Sequence, residues 1–394
     1  MAALFTPNEL PSGPRVTIDT VTNLEELAAL RADYERLGCV SGNRVPFALH
    51  DWHMAWCRHF LNCDPRIRDE PLFCVVRNDR RNCVAILPFI RSRRRIGPFT
   101  VSYINPLGLA ITEIRTPMIE PGYEFLAIHA VQAALQKIPD WDWVHWAHLG
   151  PEMEAALRAS GRPLDWHQPP MADVVLDLAP TWTEFRSRLK RNIRESLRHG
   201  YNSLSRDGLT FEFEALQEPA DVRHGLDRYF ELHRLRAEFT RGPRHPNRFE
   251  SETSRHFLRD VCDRLSSRRV VRLFVLRIRG ECVAMRLAFA VADSLYLYYS
   301  GFDPAWWKYG VMTTTVAESI KYAIENGFKT VNLSPTNIVS KSRWGPRQID
   351  FPSAYQTGPR LRSRLANSAY LTAQTDDHRL AKVLKTFVTR RSWD

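Results

Sequence analysis

Apolar and polar positions alternate along this chain in blocks that switch between the two-residue period of strands and the longer period of helices. Leu24 to Leu37 and His50 to Leu61 carry apolar residues at helical spacing, and Leu72–Phe73 then opens an apolar run of strand type. A polar turn over Arg77 to Asn82 leads into Cys83-Val84-Ala85 and a second strand ending near Phe89. Helical spacing returns over Tyr123 to Gln136. Trp141 to Leu149 and Asp173 to Leu178 read as short strands. The pattern then repeats: Leu273-Phe274 begins a strand, Arg277 to Glu281 turn, and Cys282-Val283-Ala284 opens a strand through Phe289. Each hairpin follows helical segments and precedes another strand and another helix, which predicts a duplicated α/β unit with a mixed sheet. The first unit is placed at 1–179 and the second at 180–353. The remainder, 354–394, reads as a basic, polar, loosely packed tail with a weak helical pattern over Asp377 to Val388.

The longest helical pattern runs from Trp182 to Arg206. Phe185, Leu189, Ile193 and Leu197 recur every four residues, with Lys190, Arg194 and Arg198 in a parallel row and Arg186, Arg188 and Arg191 nearby. Such a face fits nucleic acid, phospholipid or a polyanionic substrate, or else is the solvated side of a packed helix.

A second segment, YYSGFDPAWWKYGVM, breaks an aromatic strand at Gly301, Asp303 and Pro304, where Asp303 either braces the turn or accepts a proton. A helix should start near Tyr309 to Val311 and stop at Asn326-Gly327. Its first amides lack internal partners and carry the positive end of the helix dipole, so with Lys308 beside them and Gly310 allowing close approach they form a candidate anion cradle. The predicted helix Asp221 to Glu238 carries Glu231, His233 and Arg236 in the run ELHRLRAEF; either His233, with an ordinary pKa of about 6.5, or Glu231 could take a proton. Lys341 and Trp344 in KSRWG follow the last strand and could close over a ligand. His145 and His148 flank Trp146 and make poor metal ligands on a strand.

Composition narrows the options. The 394 residues are 44% hydrophobic, enough for about two cored domains, and the net charge of +11 favours an anionic partner. The seven cysteines contain no C-x-x-C pair, which favours free thiols over disulfides or zinc. No secretory signal is evident at the start, and no stretch reaches the ~18 apolar residues of a membrane span, Arg286 and Asp293 interrupting the best candidate. A soluble, cytoplasmic protein without a membrane span or metal is expected. No G-x-S-x-G, P-loop, G-x-G-x-x-G or H-E-x-x-H motif occurs, so hydrolase, nucleotidase, dinucleotide oxidoreductase and zinc-protease chemistry lose support.

In order, FALHDWHMAWCRHF, CVAILPF, LKRNIRESLRHGYNSL, YFELHRLR, GECVAMRLAF, YYSGFDPAWWKYGVM, ENGFKTVNLS and KSRWG resemble the CelD/BcsL-type acetyltransferase family of the GNAT superfamily, over roughly Val45 to Gly345. The resemblance implies tandem GNAT folds, as in the related Fem-type aminoacyltransferases, with the second unit active. It places the pyrophosphate of an acyl-CoA co-substrate on the amides of Lys308, Tyr309, Gly310, Val311, Met312 and Thr313. It puts Tyr299, Ser300 and Gly301 along the acyl group, His233 or Glu231 as base and Tyr309 as the acid returning a proton to the thiolate. Arg236, Asp303, Lys341 and Trp344 fall to the acceptor. The implied activity is transfer of an acyl group (EC 2.3.1 type) to an amine or hydroxyl of a sugar or amino-acid-like acceptor in polysaccharide or specialised-metabolite synthesis. The alternatives are a Fem-like transferase using aminoacyl-tRNA and a silent scaffold that binds a polyanion or a partner.

Overall fold

The computed structural model describes residues 15–96, 99–108, 111–241, 245–335 and 339–374. The helical pattern expected over Asp377 to Val388 lies outside them.

The strands are β1 (Val16–Val21), β2 (Ile67–Asn78), β3 (Cys83–Ile96), β4 (Phe99–Pro106), β5 (Met118–Ile119), β6 (Trp143–Trp146), β7 (Asp165–Asp177), β8 (Phe211–Leu216), β9 (Val271–Ile278), β10 (Glu281–Val291), β11 (Ser294–Phe302), β12 (Thr330–Asn332) and β13 (Arg347–Thr357). They form one mixed sheet in the order β1-β2-β3-β4-β6-β13-β7-β12-β11-β10-β9-β8, with β5 beside β3. The order reads the same from both ends if β1, β2, β3, β4, β6 and β7 correspond to β8 through β13. This is a tandem GNAT-like architecture. Each unit lends its last strand to the other, β7 lying against β12 and β13 against β6.

The echoed hairpin is also an echo in the backbone. Cys83 faces Arg77 and Ala85 faces Val76, with a bulge between; Cys282 faces Arg277 and Ala284 faces Leu276, again with a bulge between. Each unit contains one parallel pair, β4 with β6 and β11 with β12, joined through a helix: Glu124–Lys137 in the first unit and Val311–Glu325 in the second.

Helices cover both faces. On one, His50–Phe60, Pro219–Glu238 and Glu252–Ser266 share a core that crosses from unit to unit. Trp52 is fully buried there against Phe257, Phe289 and Tyr298, and its Nε1 donates to Thr112 Oγ1 at 3.0 Å. Asp51 sits in the same seam, accepting from Arg31 at 2.7 Å and from Arg268 at 3.0 Å. On the other face, the first unit has one apolar cluster and the second has two.

Three expectations need correction. The tail placed from residue 354 begins inside β13, where Ala354 and Tyr355 are buried between β6 and β7, and a further helix, Leu361–Gln374, follows. Pro352 hid the strand: the register shifts between Phe351 and Ser353, so the proline sits at an irregularity rather than ending the pairing. The helix expected over Trp182 to Arg206 is two, Trp182–Arg188 and Arg191–Arg206, because Leu189 and Lys190 are extended. All four stripe residues remain buried across the break. The helix from Leu24 likewise splits, into Leu24–Ala29 and Arg31–Val40.

Gly301 is where the Pro219–Glu238 helix rests on β11. A Cβ there would fall on the backbone of Leu232 and His233, well inside contact distance. Gly301→Ala is therefore expected to force helix and strand apart and to cost about 3 kcal/mol, read as a lower midpoint in urea unfolding.

Candidate functional site

Past Tyr296, β11 has no ladder partner on its β12 edge among the described residues, because the parallel ladder ends at Tyr296–Asn332 and only the Ser334 hydroxyl reaches across, to the Leu297 carbonyl. A cavity of about 340 Å³ opens in this splay. The C-terminal part of β11 supplies Tyr298, Tyr299 and Ser300, the first turn of the Val311–Glu325 helix supplies Met312 and Thr313, and Leu333 to Pro335 continue from β12. Lys341, Arg343 and Trp344 close one side, and His233, Arg236, His245 and Arg248 another. The corresponding place in the first unit, among Pro106, Trp146 and Leu149, holds about 20 Å³. Its lining is mostly apolar, so among the described residues the second copy has the roomier cavity here. A groove of about 840 Å³ beside Trp141 and the Leu361–Gln374 helix lies near the start of β6.

The site unites several residues singled out from the sequence: His233, Arg236, Tyr299, Ser300, Met312, Thr313, Lys341 and Trp344 all line the cavity. His233 is held by both ring nitrogens. Nδ1–H donates to the Ser300 carbonyl at 3.0 Å, while Nε2 accepts from the Arg248 amide at 3.3 Å. Burial lowers its pKa to about 4, so the ring is neutral at pH 7 and positions the strand. Lys341 donates to the carbonyls of Ser334 and Pro335, at 3.1 and 2.6 Å, and Arg343 donates to Thr313 Oγ1 at 2.8 Å.

Other candidates fall elsewhere. Glu231 is exposed and pairs with Arg228 at 2.7 Å; two residues from His233 on a helix, it lies on nearly the opposite face. Tyr309 turns its hydroxyl away from the cavity and donates to Asp207 at 2.8 Å. Lys308 is exposed on the same side, with its ammonium 3.6 Å from Asp207. Asp303 accepts from the Ala305 amide at 2.9 Å and so braces the turn. Gly301 serves helix–strand packing, and Val311 is core. Gly310 adopts φ 65° at the helix start, where no side chain caps the amides. Tyr309→Phe is expected to lose only the Asp207 hydrogen bond, about 1 kcal/mol of stability, and to keep turnover within about twofold in a steady-state assay.

The sequence reading missed Glu113, Arg286, His245 and Arg248. Glu113 comes from the first unit, in the segment after β4, and accepts from Tyr296 Oη at 2.7 Å. Burial drives its carboxyl well above the ordinary range, against the pull of Tyr296 and Lys341. Burial also lowers the Lys341 ammonium, which Glu113 only partly restores. The cavity thus pairs an acid made more basic with a base made more acidic, a feature of proton-transfer sites. Arg286 did leave a signal: it is the one charged residue between Cys282 and Val291, in the middle of the sheet.

Fold and cavity together define a tandem GNAT-like α/β protein. Residues 187–340, within its second unit, match a family model described as an acetyltransferase (GNAT) domain. No curated protein matches significantly. Among solved structures the chain is similar to FemX, with a TM-score of 0.61 and 11% identity over 89% of this chain and 99% of that one. It is also similar to a conserved protein of unknown function from Bacteroides thetaiotaomicron, with a TM-score of 0.52 and 11% identity over 86% and 99%. At these identities the likeness is one of fold.

Proposed function

We propose that the protein transfers an acyl group from acyl-CoA to an amine or hydroxyl of a sugar or amino-acid-like acceptor. One observation carries the reading: the cavity lies in the splay of the second parallel pair, against the uncapped start of the Val311–Glu325 helix, and most of its lining comes from the segment that matches the acetyltransferase domain. Acyl-CoA, when bound, supplies an activated thioester carbonyl. Helix-start amides suit its pyrophosphate, and the unpaired edge of β11 offers amides to polarise the carbonyl oxygen.

Glu113 is the base of this reading. Its raised pKa lets the carboxylate accept the proton of the attacking group near neutral pH. His233 and Arg236 hold the Ser300 carbonyl in place, and Trp344 and Lys341 wall the cavity from solvent. The ordered motifs of CelD/BcsL type support a sugar acceptor in polysaccharide or specialised-metabolite synthesis.

A second reading takes aminoacyl-tRNA as donor. Arg186, Arg188, Lys190, Arg191, Arg194 and Arg198 are all exposed beside the cavity-bearing unit, a surface suited to phosphates. Incubation with acetyl-, malonyl- and longer acyl-CoAs and a cell extract, read by mass spectrometry, tests the first reading: an acylated product is expected. No product across the panel, with tRNA co-purifying at low salt, would replace it with the second; no product and no tRNA would leave a binding scaffold.

A further inference from the structure

Two arginines facing the cavity form no ion pair among the described residues, Glu113 acting on Arg286 only through space. Arg286 donates Nη1 to the Tyr298 carbonyl at 3.0 Å and Nη2 to Ser300 Oγ at 3.2 Å, while its Nε is enclosed without a partner. Arg236 reaches the same hydroxyl from the helix side, Nη1 donating to Ser300 Oγ at 2.6 Å, and its Nη2 lies 2.9 Å from His245 Nε2. Burial lowers both guanidiniums to about 10, and for Arg286 the neighbouring Arg236 adds to the fall. Both stay charged at neutral pH.

Holding two like charges together away from water is costly unless something compensates them. The cavity lining supplies Arg236, Arg248, Arg286, Lys341 and Arg343 against the single carboxylate of Glu113. The two guanidiniums converge on one hydroxyl beside the open edge of β11, where an anionic group would meet several donors at once. Neutral ligands would leave the charge uncompensated.

Building on the acyltransferase reading, we propose that Arg236, Arg286 and Ser300 form a subsite for an anionic oxygen group, carboxylate or phosphate, so that the enzyme works on an acidic substrate. The anion belongs either to the acceptor or to the far end of a dicarboxylic acyl chain. In both cases it is held next to the reacting centre and sets which substrates orient for transfer.

Calorimetric titration separates these cases. With CoA saturating, succinate or inorganic phosphate is expected to bind at least about tenfold more tightly than neutral succinamide if the anion belongs to the acceptor. If it belongs to the donor, succinyl-CoA instead binds at least about tenfold more tightly than acetyl-CoA. Arg286→Met or Arg236→Met should erase whichever preference is seen while CoA itself still binds. If a methionine variant does not fold, Arg286→Lys, which keeps the charge and loses the fork, is expected to weaken the preference similarly. No preference for the charged probe in either arm overturns the subsite. An anion preference in a protein that does not bind CoA overturns the acyl-CoA reading and leaves the subsite standing.

Discussion

Replacing Glu113 with glutamine is expected to lower kcat at least about 100-fold, the scale of a lost general base, while acyl-CoA still binds. The carboxylate faces Tyr296, Tyr299, Lys341, Asp173 and Arg286, and burial outweighs these neighbours in raising its pKa. Only the deprotonated form can take a proton from the acceptor. Wild-type activity should therefore fall as the pH drops through that raised pKa, and Glu113→Gln should lose this acidic limb along with most of its rate. Because the folded pKa is raised, the protonated carboxyl is the form the fold favours, and its stabilisation fades as pH rises through the folded value. Glutamine mimics that form, so the variant should melt no lower than wild type at pH 8. Normal turnover in Glu113→Gln, or an unchanged acidic limb, would remove Glu113 from the chemistry.

Acidification is the second large effect. His53 and His233 are buried and held neutral, burial lowering them from the ordinary 6.5 to about 3 and about 4. His53 lies against Tyr34 Oη at 2.8 Å, and His148 is also buried and depressed by burial. The sign follows from the depression: the unfolded chain takes up protons below pH 6.5 that the folded chain refuses. Stability is full above the unfolded pKa and is lost as pH falls toward the folded values. A fall from 6.5 to about 4 amounts to about 3 kcal/mol for His233, and His53 contributes at least as much. Together they rival the 5–15 kcal/mol of roughly typical total stability. The melting temperature should drop by about 10 °C between pH 7 and pH 4.5. His53→Gln should blunt that drop, and a flat profile across the window would contradict it. The Asp51 seam should persist through this range, since hydrogen bonds from Arg31 and Arg268 outweigh burial and hold its carboxyl below the usual range.

The duplication was legible because strands buried on both faces write continuous apolar runs. Cys-Val-Ala after a polar turn marked both hairpins, down to the position of the bulge. The strand exchange was not legible. Whether Asp165–Asp177 pairs within its own unit or with the next depends on contacts far apart in sequence, and Pro352 disguised the strand that completes the swap. At the site, the structure places His233, Arg236, Lys341 and Trp344, from the helix ELHRLR and the motif KSRWG, in the wall of one cavity, with His233 holding the strand there. Glu231 misled because adjacency in sequence was read as adjacency in space. Glu113 could not be found that way, since nothing local in LGLAITEIRTP says that the first unit closes the cavity of the second.

The proposed donor site is the splay of β11 and β12. Calorimetric titration of CoA into the wild-type protein and into Thr313→Trp, whose indole would fill the cavity beside the Val311–Glu325 helix, tests it most directly. Saturable binding at one site in the wild type, lost in a Thr313→Trp protein that melts normally, is the predicted result. Absence of binding up to about 1 mM CoA, the weak end of specific affinity, or equal binding by both proteins, would contradict it.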